Sequence, residues 1–448
     1  MGSNWKTARL LDQYEVRSGL SKPAKDFGTG YPFLTFKDVF YNYFTPEVLG
    51  DLVESTDKER DGCSVKRGDV FLTRTSETMN ELGMSCVALK DYEGATFNGF
   101  CKRLRPNEQC ELVPEYVGYY LRSPKFRQAM VAFSTMSTRA SLNNEMIGRL
   151  EISYPPKEAQ RHIAHVLKTL DNKITLNRQI NQTLEQMAQT LFKSWFVDFD
   201  PVIDNALDAG NPIPDELQHR AEARKVVRES EGFKPLPDEV RQQFPDAFEE
   251  SELGWVPKGW GVQRLDVTLD LAYGKALKKT DRIDGDVPVY GSGGVNGTHN
   301  VSIVDGPGII VGRKGTVGSL YWEPNNFYPI DTVFYVKPKS GYSMEYCYEL
   351  LKTLGLEHMN TDAAVPGLNR NNAYRLVSAK PTPELIELFT QNASVYRSRI
   401  SHCCSESNTL TKLRDTLLPK LISGELRLDE VELAVEQETV SAEQQNER

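Results

Sequence analysis

Hydrophobic residues in two long stretches of the chain recur at alternating steps of four and three residues, the pattern of a coiled-coil helix. In the first stretch these positions are Ile163, Leu167, Leu170, Ile174, Asn177, Asn181, Leu184, Ala188, Leu191 and Trp195. In the second they are Phe389, Ala393, Tyr396, Ile400, Cys403, Ser407, Leu410, Arg414, Leu417 and Leu421. One shift of 226 residues relates the two sets. The pattern predicts two long helices, the first spanning roughly 58 Å at about 1.5 Å per residue.

The segment that leads into each helix repeats at the same shift. These segments are "SLNNEMIGRLEISYPPKEAQRHI" (141–163) and "GLNRNNAYRLVSAKPTPELIELF" (367–389). Further upstream, "GDVFLTR" (68–74) resembles "GPGIIVGR" (306–313), and each predicts a short apolar strand after a glycine turn. The alternative is two unrelated amphipathic helices, but it does not explain why helix and preceding segment share one shift. The sequence therefore predicts a duplicated unit, a globular domain followed by a helix.

The order of the repeats predicts the architecture. If the helices pack together, the second must run back toward the first domain, so the pair is antiparallel. The predicted fold class is α+β, with two globular α/β domains separated by a long antiparallel two-helix coiled coil and a pseudo-twofold internal repeat. The predicted boundaries are 1–157 for the first globular domain, 158–200 for the first spacer helix, 201–257 for a linker, 258–382 for the second globular domain, 383–424 for the second spacer helix and 425–448 for an acidic tail.

Two local predictions concern the linker and the helix ends. Pro201 is expected to hold Asp200 in an extended conformation and so to end the first helix. One helix, 215–229, is expected within the acidic linker, and Gly424 is expected to cap the second long helix.

Charge is distributed unevenly along the chain. The formal net charge is −9, yet residues 198–252 carry −9 and residues 425–448 carry −6, which leaves +6 elsewhere. A mildly basic remainder is compatible with nucleic-acid binding. No apolar run reaches membrane-span length, and the 7 cysteines are scattered without a CxxC pair. We therefore expect a cytoplasmic protein without disulfides or a zinc site.

Five stretches together resemble the specificity subunits of type I restriction–modification systems, and the resemblance covers nearly the whole chain. They are "LNNEMIGRLEISYPPKEAQ" (142–160), "LFKSWFVDFDPV" (191–202), "FPDAFEESELGWVPKGW" (244–260), "VPVYGSGGVNG" (287–297) and "LRDTLLPKLISGEL" (413–426). The repeat of the first stretch departs from the pattern, because Ile386 stands where Gln160 does and Thr382 replaces the second proline.

The resemblance implies a function without catalysis. In that family each globular domain is a target recognition domain for one half of a split DNA sequence, and the helix pair sets the distance between the halves. Two methyltransferase subunits dock on the helices, and motor–nuclease subunits join them for cleavage. The methyltransferase partner, not the specificity subunit, binds S-adenosylmethionine and methylates adenine. No cofactor or metal is expected on this chain.

The motifs of an enzyme are weak or missing in the sequence. "YPPKE" lacks the amide and the aromatic of an amino-methyltransferase loop, and no Walker loop occurs. "YGSGGVNG" has Asn296 where a GxGxxG motif needs its third glycine. His162 and His165 have no acidic third ligand at useful spacing, so packing or solvent exposure is favoured over a metal site. The alternatives to a recognition subunit are a stand-alone methyltransferase or nuclease, and a coiled-coil adaptor for proteins.

Basic, hydroxyl and amide side chains in loops are the candidates for DNA contact, because such groups bind phosphates and base edges. In the first domain they are Arg74, Thr75, Ser76, Lys102, Arg103, Arg105, Thr138, Arg139 and Asn143. In the second domain they are Lys275, Lys278, Lys279, Tyr290, Ser292, Gly293, Arg313, Lys314, Thr316, Asn369 and Arg370. The alternative for any one basic residue is a solvated surface charge, and strand alternation is expected to put only part of "CKRLRP" on one face.

An aromatic cluster closes the first predicted helix. It consists of Phe192, Trp195, Phe196 and Phe199. We expect these side chains to help seat a methyltransferase subunit, since aromatic residues anchor protein interfaces. The alternative is that part of the cluster belongs to a domain core.

Overall fold

The computed structural model describes residues 4–76, 81–132, 140–360 and 367–426. The chain divides into two compact units. Unit 1 comprises residues 1–176 and 406–448, and unit 2 comprises residues 177–405. Each unit thus contains a portion of both long helices. This division differs from the domain boundaries expected from the sequence. The predicted separation into recognition domains, spacer helices, linker and tail stays a prediction.

Unit 1 is built from short strands and helices. Its strands are β1 (Lys6–Arg9), β2 (Tyr14–Ser18), β3 (Phe27–Leu34), β4 (Asp51–Val53), β5 (Val70–Thr73), β6 (Thr75–Ser76), β7 (Ser85–Val87), β8 (Thr96–Phe97), β9 (Cys101–Pro106), β10 (Ala140–Ser141) and β11 (Glu151–Tyr154). Its helices are α1 (Leu10–Gln13), α2 (Phe36–Tyr41), α3 (Asp57–Gly62), α4 (Pro114–Tyr120), α5 (Pro124–Ala132), α6 (Asn144–Arg149) and the first part of α7 (Lys157–Phe196).

Unit 2 has a similar inventory. Its helices are α8 (Asp200–Ala209), α9 (Gln218–Arg228), α10 (Asp238–Arg241), α11 (Leu265–Thr268), α12 (Met344–Thr353), α13 (Arg370–Tyr374) and the first part of α14 (Pro383–Ser423). Its strands are β12 (Phe248–Ser251), β13 (Gly254–Pro257), β14 (Gly261–Arg264), β15 (Leu269–Tyr273), β16 (Val287–Gly291), β17 (Gly294–His299), β18 (Gly308–Gly312), β19 (Leu320–Glu323), β20 (Tyr328–Pro329), β21 (Val333–Pro338) and β22 (Val377–Lys380).

The two units repeat one sheet topology. An antiparallel four-stranded sheet has the order β2-β9-β5-β7 in unit 1 and β15-β21-β18-β19 in unit 2. A three-stranded sheet, with one antiparallel and one parallel neighbour, is β4-β3-β8 in the first and β17-β16-β20 in the second. The pair β1-β11 likewise corresponds to β14-β22. The internal repeat predicted from the sequence is therefore present in the fold.

Both long helices are built as the hydrophobic pattern predicts. The first has 40 residues and the second 41. In unit 1, Ile163 and Leu167 of α7 are buried in the same core as Leu417 and Leu421 of α14. In unit 2, Phe192 of α7 and residues 389 and 393 of α14 share a core. The apolar positions of the pattern therefore face protein interior in each unit.

Polar contacts between α7 and α14 also occur within each unit. In unit 1, Arg414 Nη1 donates to Asp171 Oδ1 at 2.8 Å, and Lys173 lies 3.4 Å from Glu406. In unit 2, the amide of Asn177, which is 1% exposed, donates to the carbonyl of residue 403 at 3.5 Å. The buried amide of Asn177 is thus hydrogen-bonded, as burial of a polar group requires.

The end of the first long helix differs from the prediction. Asp200 is not extended but begins α8, with Pro201 in the first helical turn. Proline is tolerated there, because the first turn leaves backbone N–H groups without helical acceptors. The break between the helices falls at Phe199, which has a left-handed backbone (φ 57°). The helix expected at 215–229 is confirmed as α9, preceded by a short 3-10 turn.

The acidic region after α8 is folded by ion pairs between helices. Aspartates on α8 form ion pairs with arginines on α9: Asp200 with Arg220, and Asp204 with Arg224. The two aspartates are four residues apart on α8, and the two arginines are four residues apart on α9. Residues at this spacing lie on one face of a helix. Within the described part of the chain, no helix has the length and hydropathy to cross a membrane.

Candidate DNA interface

Two loops that the sequence singled out, those of Arg313 and Asn369, come together in unit 2 beside the β20–β21 connection. The backbone N–H groups of Arg313 and Lys314 donate to the carbonyl of Thr332 at 2.9 and 3.0 Å. The N–H of Leu368 donates to the carbonyl of Arg313 at 2.8 Å, and Lys314 bridges to Gly367. The loop after β18 therefore lies between the β20–β21 connection and the segment before α13.

The glycine turn between β16 and β17 packs beside this loop. The carbonyl of Ser292 accepts hydrogen bonds from Ser319 Oγ at 2.7 Å and Tyr321 OH at 3.2 Å. A Cβ at Gly315, whose φ is +86°, would lie 3.2 Å from Ser292 Oγ. The close approach and the positive φ both favour glycine there. Ser292 and its exposed neighbour Gly293 thus adjoin the loop of Arg313.

Two arginines of these loops stack against one tyrosine. The guanidinium carbons of Arg313 and Arg370 each lie 4.8 Å from the ring centroid of Tyr273. Arg313 also donates from Nη1 to the carbonyl of Asp331 at 3.1 Å. Tyr273 ends β15 and its side chain is 49% exposed. Cation–π contacts of this kind hold a guanidinium plane in place.

The remaining candidates of unit 2 lie in the loop after β18, in the segment after β15 and at the start of α13. Lys314 and Thr316 are exposed in the central loop, and Lys275 is exposed where its N–H donates to the carbonyl of Pro329 at 3.0 Å. Lys278 and Lys279 are exposed at the start of a 3-10 turn. Asn369 is exposed, but its Oδ1 caps α13 by accepting from the N–H groups of residues 371 and 372 at 2.9 and 3.3 Å.

Unit 1 repeats the loop framework with different side chains. The N–H of Arg74 donates to the carbonyl of Phe100 at 2.7 Å, and the N–H of Leu142 donates to the carbonyl of Arg74 at 2.8 Å. Thr75 and Ser76 pair with the short strand β10. Arg74 is exposed, and Asn143 caps α6 through a 2.8 Å hydrogen bond from the N–H of residue 146. Thr138 and Arg139 lie outside the described residues.

Two positively charged side chains, Lys102 and Arg74, lie close together at this edge of unit 1. Lys102 Nζ donates to Ser18 Oγ at 3.0 Å. Burial lowers the pKa of Lys102, and the positive charge of Arg74 lowers it further. Two cations close enough to repel favour an anion between or above them. This pair therefore suits a phosphate group.

Three residues expected to contact DNA have structural roles instead. Arg103 is 5% exposed and donates to the carbonyl of Ser64 at 2.7 Å. Arg105 makes a two-bond contact with the buried carboxylate of Asp69, at 2.7 and 2.6 Å. Tyr290 is 6% exposed, and its hydroxyl donates to Glu323 at 2.9 Å. Arg103 and Tyr290 are buried and Arg105 is bound to an internal carboxylate, so we remove all three from the candidate interface.

Comparison with known proteins agrees with the resemblance found in the sequence. Residues 2–186 match the family model of the type I restriction modification DNA specificity domain. The chain is 27% identical to the type I restriction enzyme HindI specificity subunit of Haemophilus influenzae, over 95% of this chain and 100% of that protein. It is 25% identical to the MjaIX specificity subunit of Methanocaldococcus jannaschii, over 96% of this chain and 95% of the other.

Over nearly its whole length the chain is therefore similar to type I restriction–modification specificity subunits. The resemblance stated from the sequence is confirmed, and the alternative of a stand-alone methyltransferase or nuclease is not favoured. The crystal structure of the S subunit of a type I restriction–modification system from M. genitalium aligns with a TM-score of 0.55 at 15% identity, covering 94% of this chain and 97% of that one. That likeness supports the mixed α/β fold with a long helix.

The aromatic cluster at the end of α7 is core, not surface. Phe192, Trp195, Phe196 and Phe199 are between 1% and 7% exposed. Phe192 contacts the rings of Tyr346 and Phe389 at 5.3 and 5.4 Å between centroids. The expectation that these four side chains seat a methyltransferase subunit is therefore corrected, because they are covered by unit 2 itself.

Sequence reasoning missed Tyr273. The residue precedes "GKALKK", and an aromatic beside a basic run is a signal for nucleic-acid contact. By residue type alone, only the lysines of this run are candidates for DNA contact. The partners of Tyr273, at positions 313 and 370, are far from it in sequence, so their shared ring could not be inferred before the fold was known.

Proposed function

We propose that this chain is the sequence-specific DNA recognition subunit of a type I restriction–modification complex, with one recognition surface in each unit. The observation that carries the proposal is the repeated loop framework. Arg74 and Arg313 occupy equivalent positions, each bound through its carbonyl to the leucine N–H before a short helix. Around them the side chains differ. One scaffold with two side-chain sets is what two different half-sites require.

We propose further that α7 and α14 form one antiparallel coiled coil that sets the distance between the half-sites. Support comes from contacts inside each unit, in which residue numbers fall on one helix as they rise on the other. In unit 1 Asp171 meets Arg414. In unit 2 Asn177 meets residue 403, and Phe192 meets Phe389. Half-sites on one face of the duplex would lie about 34–36 Å apart.

The methyltransferase subunits are proposed to dock on the long helices, away from the aromatic core. Apolar side chains exposed on these helices support this, since an unburied apolar surface favours association. They are Leu176 (49% exposed), Met187 (44%) and Val395 (65%). We propose two methyltransferase copies, with S-adenosylmethionine bound on them rather than on this chain, and motor–nuclease subunits that join for cleavage. The specificity subunit itself is proposed to be non-catalytic.

The proposal is tested by sequencing methylated bases in cells with and without this chain and its methyltransferase partner. A methylated split motif should be present only when both are expressed. Purified chain incubated alone with DNA and labelled S-adenosylmethionine should transfer no methyl group. Methyl transfer by the chain alone, or methylation without a split motif, would refute a recognition role.

The spacer role is tested separately by changing the helix pair. Removing one heptad from α7 between residues 177 and 188, together with the facing heptad of α14, should shorten the spacer and leave both half-sites unchanged. The control removes no residue but replaces exposed polar residues of the same heptads by alanine, and its motif should be unchanged. A change in half-site bases after the deletion would contradict the spacer role.

A further inference from the structure

We propose that Arg370 recognises a guanine in the half-site bound by unit 2. The ring of Tyr273, which also contacts Arg313, holds the Arg370 guanidinium in position for this contact. This inference rests on the proposed function and adds a residue and a base to it. The ligand is the major-groove edge of guanine, whose O6 and N7 accept two hydrogen bonds from one guanidinium.

The first argument is a guanidinium that two aromatic rings hold in place. Nε of Arg370 is buried and has no hydrogen-bond acceptor within the described part of the chain. The guanidinium carbon lies 4.8 Å from the ring of Tyr273 and 5.8 Å from the ring of Tyr374. Tyr374 is fixed in turn, because its hydroxyl accepts from the N–H of Leu271 at 2.8 Å. Because Nε is covered by the protein, an external acceptor would be bound by the terminal Nη groups of this guanidinium, which the two rings hold in place.

The second argument is the contrast with nearby lysines. Lys314 and Lys275 are exposed and have freely rotating ammonium groups that suit phosphates at any sequence. Arg370 instead has a fixed plane, and a fixed plane presents its donors in one direction. Bidentate contact with a base edge needs such a plane, whereas a phosphate contact does not. The geometry therefore favours base recognition over phosphate binding.

The third argument is that unit 1 lacks the arrangement. Tyr273 stands opposite Phe334 in the four-stranded sheet, and the equivalent position in unit 1 is Ser18, opposite Lys102. Arg370 follows the capping Asn369, and the residue that follows the capping Asn143 is Asn144. Unit 1 therefore has neither the ring nor the second arginine. A base preference that depends on Arg370 belongs to one half-site only.

The experiment is methylome sequencing with the chain co-expressed with its methyltransferase subunit. For Arg370→Lys, the preference for one guanine in one half-site should fall by roughly 5- to 150-fold, the usual contribution of a bidentate contact. The other half-site should be unchanged. Tyr273→Phe keeps the ring and should retain the motif, whereas Tyr273→Leu should relax the same position as Arg370→Lys. Arg375→Ala, an exposed arginine outside the cluster, is the matched control.

The outcomes separate this inference from the proposed function. If the unaltered chain directs no split-motif methylation, the proposed function fails. If the split motif is present but Arg370→Lys keeps full preference at every position, only the inference fails. A uniform loss of binding for all sequences, with the salt slope reduced by about 0.9, would show a phosphate contact and would also overturn it. Arg370→Lys retains charge and stem, and its thermal unfolding midpoint shows that loss of preference is not loss of folding.

Discussion

The substitution Phe192→Ala tests whether the aromatic cluster at the end of α7 is core. Phe192 is 1% exposed and contacts Phe196, Tyr346 and Phe389, with ring centroids 5.1 to 5.4 Å apart. Truncating a buried phenylalanine costs about 3–5 kcal/mol, because the removed ring loses its burial and leaves a cavity. Whole domains are stable by roughly 5–15 kcal/mol, so this loss is a large fraction for unit 2.

Tryptophan fluorescence during urea unfolding measures the effect on unit 2. Four of the 5 tryptophans lie between residues 195 and 322, in that unit. With a slope of about 2–3 kcal/mol per molar urea, the midpoint should fall by on the order of 1–2 M. The control is Met187→Ala on the same helix, at a side chain 44% exposed, which should change stability by less than about 0.5 kcal/mol.

The opposite result would show that the aromatic cluster is an interface for the methyltransferase subunit. If Phe192→Ala unfolds at the midpoint of the unaltered chain but binds the methyltransferase subunit more weakly, the cluster is a docking surface and the burial argument is wrong. If the midpoint falls and the still-folded fraction binds the partner normally at low temperature, the core assignment holds.

Three further predictions concern charge and capping. Arg397→Met should lower the free energy of unfolding of unit 2 by about 3 kcal/mol, because it removes the 2.7 Å partner of the Glu349 carboxylate, which is 1% exposed. In urea unfolding, the double variant with Glu349→Leu should recover most of this loss. The pKa of Glu59 is lowered to about 2 by the backbone N–H of Thr56 and then by the nearby lysine, so its stabilisation is present above the ordinary value of 4.5 and is lost as pH falls toward 2. Glu59→Gln should therefore remove part of the acid sensitivity of unit 1, and an identical acid titration in the variant would contradict this. Asn143→Ala should cost about 1 kcal/mol in thermal unfolding of unit 1 by removing the cap of α6, and should leave the methylated motif unchanged if capping is its role.

The repeat was predictable because its signal is local and periodic. Spacings of three and four residues follow from the helix itself, so both ends of α14 and the start of α7 came within a residue of expectation. The end of α7, at Phe196, lies four residues before the expected boundary. The strand in "GDVFLTR" and its counterpart before Arg313 were predictable from apolar runs after glycine. The prediction that Pro201 holds Asp200 extended was wrong. Proline disfavours helix at the residue before it but suits the first turn of a helix, and the sequence alone does not show which effect prevails.

The side chains of the candidate interface were only half predictable, because residue type shows capacity for contact but not its direction. Lys102 and Arg103 are neighbours in one basic run, yet one lies beside Arg74 and the other is buried against Ser64. Strand pairing decides between them, since successive side chains point to opposite faces of a sheet.

For this protein the sequence alone determined the duplication, the two long helices, the glycine turns and the resemblance to specificity subunits. Tertiary structure decided which aromatic residues are covered, which arginines are occupied by internal acceptors, and that Tyr273 lies against Arg313 and Arg370. Periodicity is a property of near neighbours along the chain, whereas burial and stacking join residues tens of positions apart. Only the packing of strands and loops brings such residues within contact distance.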